Sequence, residues 1–148
     1  MLELAKDFKE FLKLLSSNGV EYLLIGGYAV SAYGHIRATN DLDVWVRISP
    51  DNAIRIDRAL REFGFASTGL SPRMFLEQNS VVRMGVPPLR IEILTTISGV
   101  DFDECYSERQ EAKFEEMMIP MISLARLRQN KAASGRAKDL ADLEGLPE

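Results

Sequence analysis

The sequence predicts an α/β (α+β) fold: a small mixed sheet of about four to five strands flanked by helices, with further helices at the C-terminus. Three observations lead there. The chain opens on apolar residues at helical spacing, alternates short strand-like runs with glycine-punctuated segments, and returns to helical character near its end. No repeat or low-complexity tract interrupts this order, so one domain over residues 1–148 is expected.

Each element has its own signal. Residues 2–17 predict a first helix, with Ala5, Phe8, Phe11, Leu12 and Leu15 as its apolar stripe and Asn18-Gly19 as its end. Val20 to Ile25 is an apolar run of strand length. Gly26-Gly27 breaks it, and Tyr28 to Tyr33 reads as helix up to Gly34. Asp41 to Arg47 alternates, with Leu42, Val44 and Val46 on one side and Asp41, Asp43, Trp45 and Arg47 on the other. Ser49-Pro50-Asp51 combines a hydroxyl cap, a first-turn proline and an acid at the positive end of a helix. That helix should run to about Phe63 on Ala53, Ile56, Leu60 and Phe63, and end at Gly64. Strands are expected near Ser80–Gly85 and Leu89–Leu94, separated by Val86-Pro87-Pro88. Residues 95–112 read as a loop with a short helix, and Glu116–Ile122 as an edge strand limited by Pro120. Ser123 caps a helix to about Ala133, and a last helix from about Arg136 would present Leu140, Leu143 and Leu146 to the body.

Composition narrows the function classes. Of 148 residues, 46% are hydrophobic and 27% charged, a globular balance able to bury a core without staples. The single Cys105 cannot form an internal disulfide, and no Cys/His cluster offers a zinc site, so a reducing cytoplasm is expected. The first ten residues carry charge where a signal peptide needs an apolar stretch, and no apolar run reaches membrane-spanning length, so neither export nor a membrane is expected. A net charge of −4 disfavours extensive nucleic-acid contact. Locally the balance reverses: Arg126, Arg128, Lys131, Arg136 and Lys138 follow one another without an acid between them. Such a cluster suits either a phosphate-bearing small molecule or a solvated helical face.

The chemistry centres on Asp41-Leu-Asp43. Residues i and i+2 of a strand share a face, so these carboxylates stand roughly 7 Å apart at the backbone. Two neighbouring anions call for a cation between them, and hard divalent ions prefer such oxygen ligands. Solvent-exposed acids on an edge strand would look the same. Upstream, Tyr22-Leu-Leu-Ile-Gly-Gly-Tyr-Ala-Val30 is a strand running through Gly-Gly into a helix, a turn that lets a phosphate approach backbone N–H groups. Downstream, Leu89-Arg-Ile-Glu-Ile-Leu94 puts Glu92 inside an apolar strand, where it needs a partner: a shared metal site, or a salt bridge to Arg90 or another cation.

Ile25-Gly-Gly-Tyr-Ala, followed by Arg37-Ala-Thr-Asn-Asp-Leu-Asp-Val44, resembles the nucleotidyltransferase superfamily that shares the fold of DNA polymerase beta. The tail from Ile119 to Leu143 is similar to that of small bacterial members related to the abortive-infection toxins. The resemblance spans about residues 20–146 and implies Mg²⁺, or Mn²⁺, and a nucleoside triphosphate as substrate. It places the phosphate-binding turn on Gly26 and Gly27, the metal pair on Asp41 and Asp43, and the third acid on Glu92. Gly27 stands where many members have Ser, and Glu92 where Asp is common.

Arg37 and Thr39 either hold phosphate or brace the loop. Lys131 and Lys138 resemble positions near the nucleotide, although Arg136 and Lys138 could pair with Asp139 and Asp142. Trp45 either stacks a base or covers the sheet. His35 reads as a capping or surface residue. The function implied is transfer of a nucleoside monophosphate to an acceptor hydroxyl on an antibiotic, a protein side chain or a tRNA end, with a toxin–antitoxin role and a cognate antitoxin among the implied partners. The competing reading is a non-catalytic module that binds nucleotide or a partner protein on the same fold.

Overall fold

The computed structural model describes residues 4–65, 69–85 and 89–148. The first helix, α1 (Lys6–Ser17), buries Phe8, Phe11, Leu12 and Leu15, the stripe expected from spacing. It starts after Ala5, which lies just outside the helix as its N-cap, and residues 1–3 of the expected helix lie outside the described residues. Strand β1 (Tyr22–Ile25) is wholly buried and passes directly into helix α2 (Gly26–Ala32). Strand β2 (Asp41–Val46) returns antiparallel to β1, with Ile25 opposite Asp43 and Tyr22 opposite Val46.

Helix α3 (Pro50–Glu62) starts where the cap chemistry places it: the Ser49 hydroxyl accepts a hydrogen bond from the Asn52 backbone N–H at 3.1 Å. Asn52 is buried and saturated, bonding the Glu21 N–H and the carbonyls of Glu21 and Arg47. A short 3₁₀ turn, Pro72–Phe75, then leads to the hairpin of β3 (Val81–Met84) and β4 (Arg90–Leu94); its expected Val86-Pro87-Pro88 connection lies outside the described residues. Strand β4 lies parallel to β2 in the register Asp41–Arg90, Asp43–Glu92, Trp45–Leu94.

The stretch expected to be loop and short helix contains helix α4 (Phe102–Ser107) and also strand β5 (Gln110–Phe114). Strand β5 pairs antiparallel with β6 (Met117–Met121), which itself lies parallel to β1. The sheet therefore has six strands in the order β3-β4-β2-β1-β6-β5, more than the four to five expected. Strand β6 is an inner strand, and the edge belongs to β5. Pro120 is tolerated there because β6 meets β1 at a single register position, Leu24–Met121, so few ladder bonds are at stake.

Helix α5 (Leu124–Ser134) is capped by Ser123 and stopped by Gly135, whose φ of 66° is left-handed. Helix α6 (Ala137–Gly145) corrects the expected apolar face. Leu140 is exposed and Leu143 only half-buried, while Leu146, just past the helix, is buried. The residues that α6 buries are Asp139 and Asp142. Leu42, Val44 and Val46 share one apolar core with the inner faces of α1 and α3, which leaves the opposite face of β2 for the acids.

Candidate active site

The turn from β1 into α2 requires both of its glycines. Gly26 has a φ of 70°, and a Cβ on it would collide with the Asp43 carboxylate. A Cβ on Gly27 would come within 2.8 Å of the Thr39 Cβ and would also strike the Thr39 hydroxyl. The turn is thus packed against β2 and the loop before it, and the Thr39 hydroxyl fills the space over Gly27.

Parallel pairing of β2 with β4 sets Asp43 directly beside Glu92, on the face that also carries Asp41. The outer two acids each have a guanidinium opposite them. Arg83 of β3 donates from Nε to Glu92 Oε1 at 2.9 Å, and Arg90 Nε stands 3.6 Å from Asp41 Oδ1. Glu92 therefore pairs with Arg83 and not Arg90. Among the described residues Asp43 has no such counterion, and its Oδ1 is buried without a hydrogen-bond partner. Burial, then the adjacent charges of Glu92 and Asp41, push its carboxyl up from 3.8 to about 7, against a smaller opposing pull from Lys131. Among the described residues no three His, Cys, Asp or Glu side chains are gathered into a ready metal cluster. Asp43 nevertheless fits a cation, because an orphaned buried oxygen between two anions is what a divalent ion would satisfy.

All nine candidate residues line one cleft of about 960 Å³: Gly26, Gly27, Arg37, Thr39, Asp41, Asp43, Glu92, Lys131 and Lys138. Their engagements differ. Arg37 braces the structure, its fork donating to Asp142 at 2.6 and 2.9 Å. Lys131 is buried between Asp139, at 2.9 Å, and Asp142, at 3.1 Å. Arg136 adds a second cation to Asp139 at 3.0 Å. Burial would raise both aspartates, but hydrogen bonds from Ser134 and Lys131 on Asp139, and from Arg37 and Lys131 on Asp142, hold them below the ordinary value. Lys138 is exposed, lines the cleft and has no carboxylate partner among the described residues, so only Arg136 of the expected Arg136/Lys138 pairings forms.

Trp45 covers the sheet. It is buried, donates from Nε1 to the Thr95 carbonyl at 3.2 Å and meets Phe102 edge-on. His35 packs against Gly145 of α6. The basic run divides: Arg126 pairs with Glu104 and Glu108, and Arg128 bonds carbonyls at the end of α6, while Lys131, Arg136 and Lys138 face the cleft. Arg83 was not singled out in the sequence, although its place opposite Glu92 follows once β3 and β4 are paired.

This architecture has known counterparts. A Thermotoga maritima protein assigned as a nucleotidyltransferase superposes with a TM-score of 0.63 at 18% identity, over 96% of this chain and 94% of that one. The lincosamide antibiotic adenylyltransferase LnuA, in its lincomycin-bound form, superposes with a TM-score of 0.57 at 13% identity, over 97% of this chain and 96% of that one. Both likenesses establish the nucleotidyltransferase fold. No curated protein matches the chain in sequence. The family model for aminoglycoside-2''-adenylyltransferase matches residues 7–146, nearly the whole length, and the chain is thereby a nucleotidyltransferase belonging to the aminoglycoside-2''-adenylyltransferase family.

Proposed function

We propose that the protein transfers a nucleoside monophosphate, adenylate in the first instance, from a triphosphate to the hydroxyl of a small molecule in the cytoplasm, with Mg²⁺ or Mn²⁺ as cofactor. One observation carries the reading: Asp43, half-buried with its Oδ1 orphaned and without a counterion among the described residues, stands between Asp41 and Glu92 where the glycine turn meets a polar cleft. Asp41 and Asp43 would hold the divalent ion, which supplies charge neutralisation for the α-phosphate and the leaving pyrophosphate. The Gly26-Gly27 turn, which packs without a Cβ against Asp43 and Thr39, would present the first backbone N–H groups of α2 to the triphosphate, and Thr39 and the Lys138 ammonium line the same cleft.

The acceptor oxygen attacks the α-phosphorus, the bond to pyrophosphate breaks, and the acceptor proton passes to the Glu92 oxygen not held by Arg83. Arg37 and Lys131 act as positioning residues, fixing α5 and α6 beside the cleft through Asp139 and Asp142. Family membership favours an enzyme over a non-catalytic module, and a small acceptor over an antitoxin or tRNA partner. Among the described residues no helix is long and apolar enough to cross a membrane. Pyrophosphate release from ATP with and without EDTA tests the proposal. Release that persists at full rate in EDTA, or in Asp43→Asn with saturating Mg²⁺, would refute it.

A further inference from the structure

The two sides of the cleft carry different chemistry. The sheet order β3-β4-β2-β1 puts the glycine turn on one side of Asp43, and Glu92 with everything beyond it on the other. If the turn holds the triphosphate, the acceptor must enter over β4 and β3. This inference rests on the transfer reading above.

On that side the charged side chains beyond the acids are Arg83 and Arg90, and the chain between them carries no charge. Both are accessible, with side chains 60% and 40% exposed. One row further along the same face, Val81 and Leu94 stand opposite each other and line the cleft with carbon. Across the whole cleft the described lining holds six cations, Arg37, Arg83, Arg90, Lys131, Arg136 and Lys138, against four carboxylates, with Asp142 just behind the lining pairing with Arg37 and Lys131. Three of those carboxylates are the transfer acids. The fourth, Asp139, is already bonded to Lys131, Ser134 and Arg136. Among the described residues lining the cleft, no carboxylate is left to receive an ammonium group.

Arg83 and Arg90 act here as counterions of Glu92 and Asp41. The guanidiniums stand on the solvent side of these partly shielded pairs, where an ion pair is weak enough for an arginine to exchange its partner. A guanidinium matches a carboxylate or phosphate with two parallel hydrogen bonds. We propose that the acceptor is a hydroxyl compound bearing an anionic group, carboxylate or phosphate, read by Arg83 and Arg90, and not a polycationic aminoglycoside.

The test measures binding to the full-length protein, with a non-hydrolysable ATP analogue and Mg²⁺ present, for four probes: gluconate, sorbitol 6-phosphate, sorbitol and kanamycin. Pyrophosphate release with ATP is followed in parallel. At least one anionic probe should bind about tenfold or more tighter than sorbitol, and which one does so distinguishes a carboxylate from a phosphate reader. The Arg83→Gln/Arg90→Gln double variant should lose that preference, and the Arg83→Lys/Arg90→Lys variant should recover only part of it. Equal affinity for all four probes, binding of neither anion, or preferred binding or turnover of kanamycin would overturn the assignment. Failure of the unmodified protein to bind the ATP analogue would instead strike at the transfer reading beneath it.

Discussion

Replacing Asp43 with Asn should stabilise the protein while abolishing its activity. In the folded chain the Asp43 carboxyl is pushed up to about 7 from 3.8, by burial and by Glu92 and Asp41. Between those values the folded state retains a proton that the unfolded state has released. Stability therefore falls as pH rises from about 4 to about 7, and levels off above. At roughly 1.4 kcal/mol per pH unit, the full displacement caps the destabilisation near 4 kcal/mol. Rearrangement of Arg83, Arg90 and the coupled Glu92 reduces it, and a gain of about 2 kcal/mol is expected for the variant at pH 8. In a chain of this size that is about 4–8 °C in Tm. The amide keeps the shape, removes the charge and can donate to Glu92. Melting curves at pH 5 and pH 8 are the assay, with the advantage of Asn expected to shrink at the lower pH. Saturating Mg²⁺ should raise the Tm of the unmodified protein and leave the variant unmoved. A variant that melts lower at pH 8, or a difference independent of pH, would refute the electrostatic reasoning. Retained pyrophosphate release would refute the catalytic one.

Three further perturbations follow from the same geometry. Lys131→Met leaves the buried Asp139 and Asp142 short of a shared cation, and urea denaturation should show a loss of about 3 kcal/mol. Gly26→Ala forces a side chain into left-handed backbone and into the Asp43 carboxylate, so Tm should fall by the equivalent of at least about 1 kcal/mol and transfer should disappear. The lowered Asp139 and Asp142 contribute stability above the unfolded carboxylate value of 3.8 and lose it as pH falls through their own depressed values. Amide exchange in α6 should therefore accelerate below about pH 4, before exchange in β1 and β2, and a uniform acid transition would contradict the clamp.

Much of the site was legible because it is written in period two. Alternation over Asp41–Val46 and Leu89–Leu94 separates the acids from the core residues with no further information, and the glycine turn announces itself. What could not be read depends on distant partners. Strand β5 is polar along most of its length, since an edge strand of this kind buries only Phe114, so it carries no periodic signal. In α6 the leucines suggested the buried face, but the aspartates won it. Their partners are Lys131 and Arg37, the latter separated from Asp142 by more than a hundred positions, which no local pattern can announce.

The order of the strands also decides when a working cleft can come into being. The two hairpins, β1–β2 and β3–β4, are local and close quickly, but the first holds two of the acids and the second holds Glu92. Only the parallel docking of β4 on β2 joins them, across a separation of about fifty residues, and such non-local pairing is the slow part of folding. A half-folded chain therefore does not yet hold Glu92 beside Asp43, the arrangement on which the proposed transfer depends. Trp45, the lone tryptophan, stands in the next row of that seam, paired with Leu94. The return of its buried fluorescence on refolding should coincide with the first moment at which transfer can occur.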